Sequence, residues 1–278
     1  MNVNLGEYNT LRVVKHVDFG VYLDGGDDGE ILLPLRYVPE GCNDGDEIEV
    51  FIYLDNEERL VATTLHPKVK VGEFAVLEVS WVNNFGAFLD WGLMKDLFIP
   101  FREQKAKMRK DGRYMIHCHI DDESYRIVGS AKVEKYLSKE RPGYSNGDAV
   151  DVLVWEKTEL GYKVIVDNKF YGLIYNDQLF HDIEIGDRFE AYVNKVRDDG
   201  KIDILPRQLG YAHIEDSSAR LLDFIRSSGG HTHLCDKSPA DEIAKTLGMS
   251  KKTFKKSVGD LYKQRLITIA PDGLTLVE

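Results

Sequence analysis

Cysteine is scarce in this 278-residue chain. Cys42, Cys118 and Cys235 lie far apart and no pair has CxxC spacing, which argues against a disulfide framework and for a reducing compartment. Long apolar runs are missing too. A run such as Val152 to Trp155 falls far short of the roughly 20 residues a membrane helix needs. The segment Met1 to Glu7 has no basic stretch followed by an apolar core, so no secretory signal is expected. A cytoplasmic location without a membrane partner is the expectation. Catalytic signatures are absent as well: there is no GxSxG, GxxxxGK[ST] or HExxH. The chain is therefore expected to be no enzyme and to need no cofactor. Asp121-Asp122 and Asp198-Asp199 could suggest a metal-dependent nuclease, but Asp is favoured in tight hairpin turns for backbone reasons, and turns are expected there. His231-Thr232-His233-Leu234-Cys235 lacks a fourth ligand at zinc spacing and reads as a polar connection, with no metal site. His117 and His119 read as surface residues either side of a buried Cys118.

Positive charge is also in deficit. Thirty-six basic against 47 acidic residues leave a net charge of −11, which opposes indiscriminate binding to polyphosphate. The deficit is uneven. Residues 1–68 carry −9 and residues 143–210 carry −5, whereas residues 69–142 carry +2 and residues 211–278 carry +1.

What is present is repetition. Val17-Asp18-Phe19-Gly20-Val21-Tyr22-Leu23-Asp24 matches Val82-Asn83-Asn84-Phe85-Gly86-Ala87-Phe88-Leu89-Asp90. Ile31-Leu32-Leu33-Pro34-Leu35-Arg36 matches Leu97-Phe98-Ile99-Pro100-Phe101-Arg102. Phe19 and Phe85, Pro34 and Pro100, and Arg36 and Arg102 are each 66 positions apart, so one register holds at separate landmarks. A fainter third copy opens at Asn146-Gly147-Asp148, has Leu160-Gly161-Tyr162 at the aromatic-glycine element, and continues at Gly172-Leu173-Ile174-Tyr175.

Within each copy, segments such as Glu47 to Leu54 and Ala191 to Val196 alternate apolar and polar residues, the period of a strand. About five strands in roughly 65–70 residues suit a small closed Greek-key barrel. After Pro206 the spacing becomes helical. Ser217 to Ser228 forms one expected helix and ends at Gly229-Gly230. A second is expected from Ser238-Pro239-Ala240-Asp241, with Ser238 as N-cap and Asp241 completing a capping box, and it ends at Gly248. Ser250 caps a third, with Phe254, Val258 and Leu261 on its inner face. Two strands, Leu266 to Ile269 and Leu274 to Val277, follow around a turn at Pro271-Asp272-Gly273. The fold expected is multidomain and mainly β: small closed barrels at 1–66, 67–141 and 142–209, then an α/β winged helix-turn-helix at 210–278.

The barrel copies resemble the RNA-binding domain of ribosomal protein S-one, an oligonucleotide-binding (OB) barrel, which implies that fold for residues 1–66, 67–141 and 142–209. The shared elements are a glycine-led hydrophobic first strand, Phe-Gly-x-aromatic on the second, Gly-Leu-Ile on the third, and Gly-Asp with a basic residue on the last. Three such barrels followed by a winged helix resemble the conserved virulence factor B family of bacterial RNA-binding regulators, over nearly the whole chain. The resemblance implies that the second-strand aromatics stack on bases, which assigns Phe19, Tyr22, Phe85 and Phe88 that role. Elementary geometry is compatible. Positions i and i+3 on a regular strand face opposite sides, and a bulge or kink at the glycine would bring both rings out. The family's histidine at the end of strand three is missing: Pro34, Pro100 and Tyr175 stand there, with Arg36 and Arg102 nearby for phosphate. The basic residue of the last strand corresponds to Arg59, Arg126 and Lys201. The third copy has lost the aromatic pair.

Two basic runs complete the candidate site. Lys105, Lys107, Arg109, Lys110 and Arg113 lie between the third and fourth strands of the near-neutral second barrel. Lys251, Lys252, Lys255 and Lys256 share one face of the third helix, opposite its apolar face, at the position of a recognition helix. Single-stranded RNA is the expected partner of a post-transcriptional regulator. A DNA-binding transcription regulator led by the winged helix is the alternative. So is a protein scaffold on the ribosome or RNA polymerase, which the acidic first barrel keeps open.

Overall fold

The computed structural model describes residues 3–179, 182–206, 211–270 and 273–277; the expected turn at Pro271-Asp272 and the expected boundary at 209–210 lie outside them. The chain divides into two compact units, Met1–Leu137 and Ser138–Glu278. The first holds two barrels and the second holds a barrel and a helical domain.

In the first barrel β1 (Tyr8–Val17), β2 (Gly20–Asp24), β3 (Glu30–Pro34), β4 (Glu47–Leu54) and β5 (Leu60–Thr63) close in the order β1-β2-β3-β5-β4. The pairs are antiparallel except β3 with β5, where Leu32 faces Val61. The second barrel repeats this order with β6 (Phe74–Val82), β7 (Gly86–Asp90), β8 (Leu97–Pro100), β9 (Arg113–Ile120) and β10 (Ile127–Ser130), and Phe98 faces Val128 across its parallel pair. The third uses β11 (Ala149–Lys157), β12 (Gly161–Val166), β13 (Phe170–Tyr175), β14 (Arg188–Val196) and β15 (Ile202–Leu205). Closure leaves no sheet edge open to a second chain.

Strand alternation fills each barrel, as with Val21, Leu23, Ile31 and Leu33 in the first. The expected alternation fails along β4. Val50 and Ile52 enter the first barrel's core, but Phe51 and Tyr53 on the other face are buried too. Their face packs against Leu89, Trp91 and Leu97 of the second barrel, with the Phe51 and Trp91 rings 5.9 Å apart and edge-on. The two barrels of this unit therefore share a core, and the outside of one strand is the inside of a joint.

The glycine that opens the second strand of each barrel serves a purpose other than the one expected. A Cβ on Gly20, Gly86 or Gly161 would stand 2.2, 2.2 or 2.0 Å from the carbonyl oxygen of Leu33, Ile99 or Ile174. These residues are glycine because the neighbouring backbone approaches that closely. The bulge lies one strand earlier, between Val13 and Lys15, Val79 and Trp81, and Val154 and Glu156. Phe19 and Phe85 precede their strands and sit in turns, so strand alternation does not govern them. Arg59, Arg126 and Lys201 likewise stand one residue before the final strand rather than on it.

The C-terminal domain has α1 (Tyr211–Ser227), β16 (His231–Thr232), α2 (Ala240–Leu247), α3 (Lys251–Lys263), β17 (Ile267–Ala270) and β18 (Gly273–Leu276). The strands form a sheet in the order β16-β18-β17, the wing of a winged helix. Leu221, Ile225, Ile243, Phe254 and Leu261 meet in its core. The first helix starts six residues earlier than expected. The second has Pro239 as its N-cap and no capping box; the Ser238 hydroxyl accepts instead from the Cys235 backbone N–H at 3.1 Å, closing the turn before the helix. Gly248 ends α2 in the left-handed conformation, and the Ser250 hydroxyl caps α3 by accepting from the Thr253 N–H.

Candidate nucleic-acid interface

The outward faces of three neighbouring strands of the second barrel carry aromatic rings in register. Trp81 on β6 pairs with Phe88 on β7, and Phe88 pairs with Phe98 on β8. The Trp81 and Phe88 rings stack face to face, 3.8 Å apart and within 3° of parallel, and Phe98 lies 4.9 Å from Phe88. Trp81 is 45% exposed because the bulge at Val79/Trp81 rotates it outward, and its indole N–H donates to Asp96 at 3.0 Å. Phe85 stands beside the array, 73% exposed. The Asn83 side-chain oxygen holds its turn by accepting from the N–H groups of Phe85 and Gly86. Such solvent-facing rings offer stacking surface.

Sequence reasoning misses Trp81 and Phe98. A signal for Phe98 exists: Leu97 and Ile99 point inward, so the aromatic between them points out. Trp81 depends on the bulge, which alternation does not reveal.

Phe85, Phe88, Phe98 and Arg126 line a cavity of about 400 Å³ whose other wall is Tyr53, Leu54, Asn56 and Glu58 of the first barrel. Arg126 forms an ion pair with Glu58 across it. The Lys95 ammonium also crosses, donating to the Asp55 carbonyl at 2.7 Å, and burial pushes its pKa down.

Of the basic loop, Gln104 and Met108 are the anchors. The Gln104 amide N–H donates to the Ile99 carbonyl and its oxygen accepts from the Met108 N–H. That leaves Lys107, Arg109 and Lys110 exposed, with no ion-pair partner among the described residues. Asp111 and Gly112, at the loop's end, exchange backbone hydrogen bonds with Val79, next to the bulge that carries Trp81. Lys105 pairs with Glu134 at 2.8 Å, and Arg102 is held by Asp121 and Glu123 at 2.5 and 3.1 Å, turned away from the role of a free phosphate ligand.

The first barrel presents a weaker version. Phe19 is exposed, but its ring meets Tyr22 edge-on at 6.3 Å, and Lys15 occupies the position equivalent to Trp81, with its ammonium 4.9 Å from the Tyr22 ring. Arg59 is bound to Asp55 and Glu57. Arg36 donates to the Met94 sulfur at 3.8 Å. In the third barrel Leu160 and Lys163 replace the aromatic pair, and the expected loss stands at those positions. Aromatics nonetheless remain nearby: Lys163 lies 5.1 Å from the Trp155 ring and Lys201 lies 5.6 Å from Tyr171. Lys201 pairs with Asp199, while the Tyr175 hydroxyl accepts from Arg197. On α3, Lys252, Lys255 and Lys256 are exposed and Lys251 is half-buried, and Lys255 approaches Asp236 at 3.7 Å.

One expectation is overturned. His117 is only 7% exposed, and Tyr136 covers it with the rings stacked 4.1 Å apart while Phe74 packs on the other side at 4.6 Å. His119 is half-buried and hydrogen-bonded to the Tyr136 hydroxyl. The strand's outer face is covered because the segment after β10 folds back across it. Burial drives the His117 pKa down to about 4, and the nearby His119 adds to the shift.

Two family descriptions match the sequence: an S1 domain over residues 5–65 and a CvfB-like winged helix domain over residues 219–276. Uncharacterized protein YitL of Bacillus subtilis is 30% identical over 277 residues, covering 93% of this chain and 89% of its own. Conserved virulence factor B of Staphylococcus aureus (strain USA300) is 22% identical over 287 residues, covering 99% and 94%. A crystal structure of a multidomain protein with nucleic acid binding domains from Streptococcus pneumoniae covers 98% of each chain at 22% identity and a TM-score of 0.43.

Proposed function

The chain belongs to the conserved virulence factor B family, and on that premise we propose that it is a non-enzymatic, cytoplasmic RNA-binding protein acting as a post-transcriptional regulator. The observation that carries this reading is the array of Trp81, Phe88 and Phe98 on the barrel's outer face, with Trp81 and the neighbouring Phe85 exposed. Stacking on such rings contributes about 1–3 kcal/mol per base and tolerates any base, because every base has a π-face. A duplex hides those faces, so the array favours single strands. Lys107, Arg109 and Lys110 supply phosphate contacts at the edge of the same barrel, and the α3 lysines add a second basic surface. The preference for RNA over single-stranded DNA rests on the barrels' resemblance to the ribosomal RNA-binding domain.

The test is filter binding of single-stranded RNA, single-stranded DNA and duplex DNA at two salt concentrations. Single-stranded RNA is expected to bind tightest, with affinity falling as salt rises. Tighter binding to duplex DNA overturns the reading in favour of a transcription regulator led by the winged helix. No binding to any of the three leaves a protein scaffold on the ribosome or polymerase.

A further inference from the structure

We infer that the base-binding site of the second barrel is composite: an unpaired nucleobase enters the cavity between the barrels and is hydrogen-bonded there by the β4–β5 hairpin of the first barrel. The inference rests on the stacking function proposed for Phe85 and Phe88 and says what faces the stacked base. The cavity has one aromatic wall, from Phe85, Phe88 and Phe98, and one polar wall, from Tyr53, Asn56 and Glu58. Its volume, about 400 Å³, lies in the range of small-ligand sites. The opposition of ring faces to hydrogen-bonding groups is what a planar heterocycle with a polar edge requires.

Two groups on the polar wall are open to a ligand. Tyr53 is only 6% exposed as a residue, but its hydroxyl has no hydrogen-bond partner among the described residues and is not among the enclosed polar atoms, so it opens onto accessible space. The Asn56 amide, with both donor and acceptor, is likewise without a partner among them. The wall is rigidly placed. Tyr53 belongs to the shared core, Lys95 ties the hairpin by its Asp55 carbonyl, and Glu58 holds Arg126. A base seated on the rings thus meets fixed partners. A chain whose first barrel is strongly acidic gains a use for that barrel that does not depend on its attracting RNA by charge.

The experiment uses the full chain and a short single-stranded RNA containing 4-thiouridine, photocrosslinked and mapped by mass spectrometry, with affinities measured in parallel for Tyr53→Phe, Asn56→Ala and Phe85→Ala. Tyr53→Phe removes only the hydroxyl and Asn56 is exposed, so both variants are expected to keep the wild-type melting temperature. The expected result is crosslinks in residues 51–58 as well as 85–98, with each polar variant weakening binding about fivefold, the equivalent of one hydrogen bond. Crosslinks confined to 85–98, with Tyr53→Phe and Asn56→Ala binding like wild type, overturn the composite site and leave stacking on the second barrel standing. Crosslinks in neither segment, with Phe85→Ala also neutral, overturn both.

Discussion

Phe85 and Phe88 share a sequence motif but not a mechanical situation. Phe85 rides a turn and touches solvent on most of its surface, whereas Phe88 is half-buried on the outside of a closed barrel, stacked on Trp81 with Phe98 tilted beside it. Neither ring is among the core residues of that barrel. Phe85→Ala with Phe88→Ala is therefore expected to weaken single-stranded RNA binding by about 2 kcal/mol or more while unfolding stays cooperative. Titration by fluorescence anisotropy, alongside a urea melt, checks both halves, and loss of cooperative unfolding would show that the rings are structural. His117 makes the opposite case, a polar residue enclosed with Nδ1 unpartnered. Its folded pKa, about 4, lies below the ordinary 6.5, so the unfolded chain binds a proton that the folded chain refuses between those values. Stability is complete above about pH 6.5 and is lost as pH falls toward 4, by up to about 3 kcal/mol. His117→Phe keeps a ring against Tyr136 and Phe74 and is expected to flatten that portion of the pH profile; urea midpoints at pH 7 and 4.5 that fall in parallel for both proteins would refute the assignment.

At the scale of elements, α3 is set by its cap and its two faces. Ser250 satisfies the first turn, and Phe254, Val258 and Leu261 fix which side turns inward, so the lysines face out whatever their own role. Its early residues offer no Arg, Asn or Gln for bidentate base reading, and lysine acts as a flexible point charge. Changing Lys251, Lys252, Lys255 and Lys256 to Ala is expected to weaken binding equally for unrelated RNA sequences. It should also make the slope of log affinity against log salt shallower by about 0.7 for each phosphate that the helix no longer neutralises. An unchanged slope would assign this face to a protein partner or to solvent. The repeated strand element is equally rule-bound: glycine where two backbones meet, a bulge one strand before it, and a ring or charged side chain after the bulge. The ring at that position, Trp81, is the one that builds a stacking platform, where Lys15 and Glu156 occupy the other two copies.

For the molecule as a whole, the joint at β4 means that the first two barrels are expected to lose stability together. Phe51→Ala should cost about 3–5 kcal/mol, and hydrogen exchange should report weakened protection in β2 and in β9 alike. An effect restricted to the first barrel would show that the shared core is not cooperative. The sequence by itself determined the number of barrels, the strand period and the apolar helix faces, because these depend on local spacing and on repetition in register. It also placed Ser250 at a cap and Gly248 at a helix end, where backbone geometry is decided within a few residues. Tertiary structure alone decided which face of β4 was a joint, since Phe51 and Tyr53 read like any exposed-side residues until a second barrel covers them. The burial of His117 was hidden for the same reason, as was the pairing of Arg102 and Arg126 with carboxylates distant in sequence. The cavity was equally illegible: half its wall comes from one repeat and half from the next, and no spacing within a single repeat encodes a surface made by two.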